Sequence, residues 1–165
     1  MDARATTKTF HLAPMSPIIL IVTLVLLGLP VPIMISVGSS NLIIALAVTS
    51  VYAWIWLRFR PSSFVVRDKS LNIIWPLKRR EILRDSISNI RLLDRNGLKQ
   101  EIGWGVRIGA GGLGGAFGWL WTTRHGIVQM YVSRTDRFVW IERTHSRPWL
   151  VTPEQPDEFV RMLST

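Results

Sequence analysis

The 165-residue chain contains no cysteine. Disulfide frameworks, thiolate nucleophiles and cysteine-based zinc sites are excluded together, so the compartment has to be read from topology. Acidic residues are scarce, with eleven Asp and Glu against twenty Lys and Arg, for a formal charge of +9. That surplus favours anionic partners, whether lipid headgroups, nucleic acid or an acidic protein. Residues 61–165 hold sixteen of the basic and ten of the acidic residues, so six of the nine excess charges lie there. Charge is missing altogether from residues 17–37 and 42–57, which are joined by Gly38-Ser39-Ser40-Asn41.

Residues 18–37 form a run of twenty without a charge. At about 1.5 Å per residue, a helix of that length spans about 30 Å, the hydrocarbon thickness of a bilayer. The second stretch ends in Tyr52-Ala53-Trp54-Ile55-Trp56, followed by Arg58 and Arg60. This is the order of a membrane boundary, with Trp54 and Trp56 at headgroup level and the guanidinium groups reaching outward. A transmembrane helical hairpin over residues 17–60 is predicted. Arg4 and Lys8 precede it, Arg58, Arg60, Arg67 and Lys69 follow it, and its loop is uncharged, so the positive-inside bias puts both termini in the cytoplasm. Pro30 and Pro32 each remove a helix donor in mid-segment and predict a kink; the alternative is a break that leaves residues 17–29 as a half-span re-entering the same face. The apolar run is too long for the h-region of a cleaved signal peptide.

After Pro61 the pattern changes to short alternating or β-branched runs separated by turn residues. Strands are predicted over residues 63–67, 71–75, 80–83, 87–93, 126–132, 137–142 and 148–151. Asn96-Gly97 reads as a hairpin turn. Thr152-Pro153-Glu154-Gln155 reads as the start of a short helix with Phe159, Val160 and Leu163 as its apolar stripe. The predicted organisation is a cytoplasmic leader over 1–16, the hairpin over 17–60 and a domain of six or seven antiparallel strands plus one helix over 61–165.

Several segments occur in a telling order: two apolar spans, a strand pair ending in Trp75-Pro76-Leu77, a Gly-and-aromatic segment, Val128-Gln129-Met130-Tyr131-Val132, and Thr152-Pro153-Glu154-Gln155-Pro156-Asp157-Glu158-Phe159-Val160. That order resembles a family of bacterial membrane proteins carrying a PH-like domain of uncharacterised function. The resemblance implies an all-β domain of two nearly orthogonal antiparallel sheets, about seven strands in all, with a C-terminal helix plugging one end. Pro156, falling early in that short helix, departs from the pattern.

Eight glycines fall within residues 103–118, and Gly109-Ala110-Gly111-Gly112-Leu113-Gly114 formally matches GxGxxG. A dinucleotide site needs a helix opening directly after the glycines. Here both flanks alternate as strands, with Trp104, Val106, Ile108 and Ala110 on one side and Phe117, Trp119 and Trp121 on another. No P-loop lysine follows, and no cofactor is expected. Two readings stay open: a bent strand with its aromatics in the core, or a tip lying against the bilayer.

Lys78, Arg79 and Arg80, with Arg84 nearby, are the densest basic cluster, and Arg67 and Lys69 sit on the first hairpin close to the membrane anchor. A cation near an anionic surface contributes on the order of 1 kcal/mol, which makes these six the candidate lipid- or partner-binding residues. The alternative is a solvated hairpin whose charge discourages edge pairing. His11, His125 and His145 are read as loop residues without metal-ligand spacing. Ser133, Asp136 and His145 would form a triad only by accident of folding, and nucleic-acid-binding patterns are absent. The expectation is a non-enzymatic, multi-pass protein of a bacterial inner membrane. It would act as a scaffold or accessory subunit that binds other membrane proteins or itself, the alternatives being anionic-lipid binding at the inner leaflet and an unrecognised enzyme.

Overall fold

The computed structural model describes residues 7–32 and 42–164. Among them, runs of β-branched and aromatic residues form ten strands in two sheets. Strands β1 (Lys8–His11), β2 (Ser63–Val66), β3 (Ser70–Ile74) and β4 (Arg79–Leu83) lie in that order in an antiparallel sheet. The second sheet contains β5 (Ile87–Leu93), β6 (Gly105–Gly111), β7 (Ala116–Thr122), β8 (Gly126–Val132), β9 (Phe138–Arg143) and β10 (Ser146–Val151), in spatial order β5-β9-β10-β8-β7-β6. The helices are α1 (Pro17–Gly28), α2 (Leu42–Phe59), α3 (Arg95–Ile102) and α4 (Pro156–Ser164).

Alternation along the strands makes two cores. Phe64, Ile73, Ile82, Phe117, Ile141 and Trp149 fill the space between the sheets. Leu120, Val128, Met130, Trp140 and Leu150 point the other way and are covered by Leu98 and Ile102 of α3. Strand β9 is buried on both faces, which is why Phe138-Val139-Trp140-Ile141 reads as an unbroken apolar run.

The β-sandwich with a C-terminal helix matches the expected class, but its details depart from the sequence reading in four places. First, the leader contributes a strand. Lys8–His11 pairs with β2, and Phe10 packs edge-on against Phe159 at 5.2 Å. Ala13 N–H donates to the Thr152 carbonyl. Four residues are too few for a periodic signal, so only the partner strand identifies β1. Second, the strands number ten rather than about seven, and β8 and β10 run parallel.

Third, Asn96-Gly97 lies inside α3 instead of a hairpin turn. Asp94 caps that helix by accepting from the Gly97 N–H at 2.6 Å, and burial of Leu98 and Ile102 stabilises helix over turn. Fourth, α4 begins at Pro156. Proline at a first helical position loses no intrahelical bond, so the residue that looked like an interruption is a start. Phe159 and Leu163 then plug the sandwich. Thr152, directly after β10, is a buried residue whose Oγ1 accepts from Ser133 N–H at 2.9 Å.

Helix α2 has a window of mean hydropathy 1.8 over 18 residues, long and apolar enough to cross a membrane. The helical stretch Pro17–Pro32 is shorter than that. It is interrupted at Leu29, directly before Pro30, and helical backbone resumes over residues 30–32. Residues 33–37 of the expected first span, and the 38–41 connection, lie outside the described residues. Most apolar side chains of both helices are exposed, Ile43 being 78% exposed and Ile21 60%, whereas Thr23 and Ala45 are buried.

Candidate functional site

The six cations grouped from sequence do not form one site. Ser70 pairs with Leu83 at one end of the β3–β4 ladder and Ile74 with Arg79 at the other, four residues away. At about 3.3 Å per residue, this separates Arg67, Lys69 and Arg84 from Lys78 and Arg79 by about 13 Å. Strand β2 runs away from the end of α2, so Arg67 and Lys69 lie at the end of the sheet remote from α2, contrary to the expectation that they adjoin the anchor. Arg84 is engaged structurally, its Nη2 donating to the Met162 carbonyl at 2.8 Å and fastening α4 to the sheet.

Lys78 and Arg79 lie at the end where the chain leaves α2. The Trp75 indole N–H donates to the Phe59 carbonyl at 3.0 Å, and the Lys78 ammonium lies 4.6 Å from the centre of the Trp75 ring. Partial burial, then the charges of Arg58 and Arg80, lower the Lys78 pKa. Of the expected boundary residues, Trp54 is exposed, whereas Trp56 carries the Arg60 guanidinium over its ring at 4.5 Å.

The glycine-rich segment is the hairpin β6–β7, and its tip reaches the helices. A Cβ built on Gly112 would lie 2.6 Å from Leu26 Cδ1, and one on Gly114 2.7 Å from the Trp56 ring. Leu113 is buried and shares a cavity of about 390 Å³ with Leu27 and Pro30 on one side and Tyr52 and Trp56 on the other. Thr23, six residues into α1 and so about 9 Å along it, holds the tip: its Oγ1 is 2.7 Å from both the Ile19 and Gly112 carbonyl oxygens, and accepts from Gly114 N–H at 2.9 Å. Backbone in an apolar setting must have its hydrogen bonds supplied, and one hydroxyl supplies two here. Thr23→Val is expected to destabilise the full-length protein in detergent by about 1–3 kcal/mol, with Thr23→Ser near wild type; equal thermal stability of all three would show that the hydroxyl is not the latch.

The aromatics of this hairpin divide between two roles. Register pairs Ile108 with Trp119 and Val106 with Trp121, so the two sides expected to differ are one face. Phe117, on that face near the tip, is covered by the other sheet. Farther along, Val106, Ile108, Trp119 and Trp121 are uncovered, Trp119 being 46% exposed, and Trp104 stacks edge-on against Trp121 at 6.2 Å. Strand β6 is also the sheet's edge.

Next to this face lies a polar cleft of about 630 Å³ that only tertiary structure assembles. Arg80 from β4 meets Gln129, Arg143, Arg147 and His145 over the buried Trp149. The Arg80 and Arg143 guanidiniums lie 5.1 and 5.5 Å from the Trp149 ring centre, and Arg80 donates to Gln129 Oε1 at 3.0 Å. Burial, then the charge of Arg80, lowers the Arg143 pKa. None of the residues lining the cleft is acidic, so its positive charge is uncompensated from within and can receive a carboxylate or phosphate. The sequence reading found Arg80 alone; alternation places Arg143 on the inward face of β9, but nothing local signals which strand it meets. His145 stands at φ 56 in the β9–β10 turn and His125 pairs with Glu101 at 2.9 Å, whereas His11 lies in a strand. The Ser133 hydroxyl is buried and donates to the Ala13 carbonyl at 2.6 Å, a structural bond joining leader to sandwich.

Neither a curated protein nor a solved structure matches the chain. The family described as Bacterial PH domain matches residues 62–165, a segment that begins at the foot of β2 and takes in both sheets except β1. With nearly two thirds of its length matched, and a sandwich closed by a C-terminal helix, the chain belongs to the bacterial PH domain family.

Proposed function

We propose that the protein is a non-catalytic binding module held at the inner leaflet of a bacterial membrane by α1 and α2, both termini cytoplasmic, where it serves as a scaffold or accessory subunit for another membrane protein. The observation that carries this reading is the uncovered apolar face of β6–β7, beside the helices and continuous with an arginine cleft. Ile127 and Gln129 border both surfaces, pairing with Trp121 and Trp119 respectively. A partner segment lying across this face, from β6 over β7 toward β8, would place apolar side chains on Trp119 and Trp121 and acidic ones toward Arg80 and Arg147. Anchoring raises the effective concentration of both proteins, so weak intrinsic affinity suffices.

A photo-crosslinking residue at Ile108, in the full-length protein in its native membrane, is expected to capture one reproducible membrane protein. The adduct is expected to disappear with Arg147→Glu and to be absent when the crosslinker sits at Leu83 on the remote sheet. The same adducts from both positions, or none from Ile108, would refute the assignment.

A second reading, binding of anionic lipid, is favoured by the positive collar where α2 meets the domain, in which Lys78 lies within the electrostatic influence of Arg58. Preferential association of the protein with anionic over zwitterionic vesicles, diminished by Lys78→Gln, is its expected signature.

A further inference from the structure

Helix α1 is tied to the β-domain at two points. Ser16 N–H donates to the Ser133 carbonyl at 3.1 Å, and Thr23 holds the β6–β7 tip. Between these tethers the helix does not pack on the sheet. Ile18, Ile19 and Val22 face a cavity of about 560 Å³ instead, within the range of small-molecule sites. Its opposite wall is the outer face of the six-stranded sheet, Leu120, Met130 and Val132, and α3 closes one side with Leu98 and Ile102.

The charged groups lining this cavity are all cationic. Arg95 from the start of α3, Arg107 from β6 and Arg134 from the β8–β9 turn line it, and none of its lining residues is acidic. Arg134 spends its Nε on Asp136, donating to its carbonyl at 3.1 Å and lying 3.5 Å from its carboxylate, but its Nη2 is buried without a hydrogen-bond partner. An apolar cavity of this size leaves its walls without packing partners, and a buried guanidinium nitrogen without an acceptor is unfavourable. One molecule satisfies both walls and rim: an amphiphile with an apolar chain and an anionic head. Because α1 leaves the domain here, the cavity lies where the chain enters its apolar helices, and its natural supply is the adjoining lipid.

We infer that the cavity between α1, α3 and the outer sheet face takes one anionic phospholipid of the surrounding bilayer, one of its two acyl chains between α1 and the sheet and its phosphate at Arg95, Arg107 and Arg134. The inference rests on the membrane reading above and assigns a site distinct from the Lys78 collar. Lipid bound this way cements α1 to the domain, so that the composition of the leaflet governs how rigidly the β-sandwich is carried.

The test uses the full-length protein in vesicles of equal parts phosphatidylcholine and phosphatidylglycerol, with a photoactivatable group in the acyl chain of one lipid or the other. Labelled phosphatidylglycerol is expected to mark peptides containing Leu120 and Met130 as well as the helices, and Ile19→Trp, which fills the cavity from the helix side, to abolish only the sheet label. Arg107→Gln combined with Arg134→Gln is expected to reduce the preference for phosphatidylglycerol at the sheet about twenty-five-fold, a factor of about five for each cation near an anionic headgroup. Label confined to the helices would overturn the cavity site while leaving the membrane reading intact. Absence of label anywhere would overturn both. Equal marking of the sheet by the two lipids, or a sheet label unchanged by Ile19→Trp, would also overturn the proposal.

Discussion

Trp149→Ala is expected to destabilise the β-domain by about 3–5 kcal/mol, the range for truncating a large buried aromatic and a large fraction of the about 5–15 kcal/mol by which domains are stable. Trp149 is fully buried at the centre of the sandwich, 5.7 Å from Tyr131 ring to ring, and Tyr131 in turn contacts Trp75 at 5.3 Å. This aromatic chain connects the arginine cleft to the end of α2. Removing its middle member opens a cavity and also takes away the surface on which the Arg80 and Arg143 guanidiniums rest. Denaturant midpoints of the full-length protein in detergent measure the loss. Trp104→Ala serves as the comparison, because at 67% exposure that side chain contributes little burial; equal midpoints for the two variants would contradict the placement of Trp149 at the core.

Gly118→Ala is expected to cost about 1–3 kcal/mol from backbone strain alone, with steric overlap in addition. Gly118 and Gly109 are cross-strand partners, at φ 129° and 139°, where L side chains are rarely accommodated. A Cβ on Gly118 would stand 2.7 Å from the Ile108 carbonyl oxygen and 3.0 Å from Gly109 Cα, so the two strands would have to separate at the bend. The consequence reaches beyond stability. The bend lies between the tip held by Thr23 and the exposed face of Trp119 and Trp121, so relaxing it changes how that face is presented. Gly111→Ala, with nothing within 4 Å of its Cβ, is expected to stay within about 0.5 kcal/mol of wild type. Thermal unfolding and limited proteolysis of the hairpin, run on both variants, give the result; a Gly118→Ala protein as stable as Gly111→Ala would show that the close approach does not exist in solution.

The two glycine variants also illustrate what could be read in advance. Glycine density within residues 103–118 signalled close backbone approach, because removing a side chain has few other structural uses, and the strand flanks argued against a nucleotide loop. Phe117 is core, as the bent-strand reading has it, whereas the tip glycines Gly112 and Gly114 touch α1 and α2 and Trp119 is exposed. Pro156 reads as an interruption because proline's effect depends on its position in a helix, and Thr152-Pro153 puts the helix start three residues too early. Asn96-Gly97 was misread because a dipeptide's turn preference is small beside burial of Leu98 and Ile102.

Segments such as 63–66, 87–93 and 126–132, and the apolar character of α1 and α2, were determined by sequence alone, since alternation and lack of charge are local properties. Which cations act together was decided only by tertiary structure. Lys78 and Arg84 are close in sequence but stand at opposite ends of a strand, whereas Arg80, Arg143 and Arg147 converge on Trp149 from two sheets. The contact of Gly114 with Thr23, 91 residues apart, likewise has no local signature. Periodicity records which face of an element is apolar; the identity of whatever covers that face depends on the packing of the whole chain.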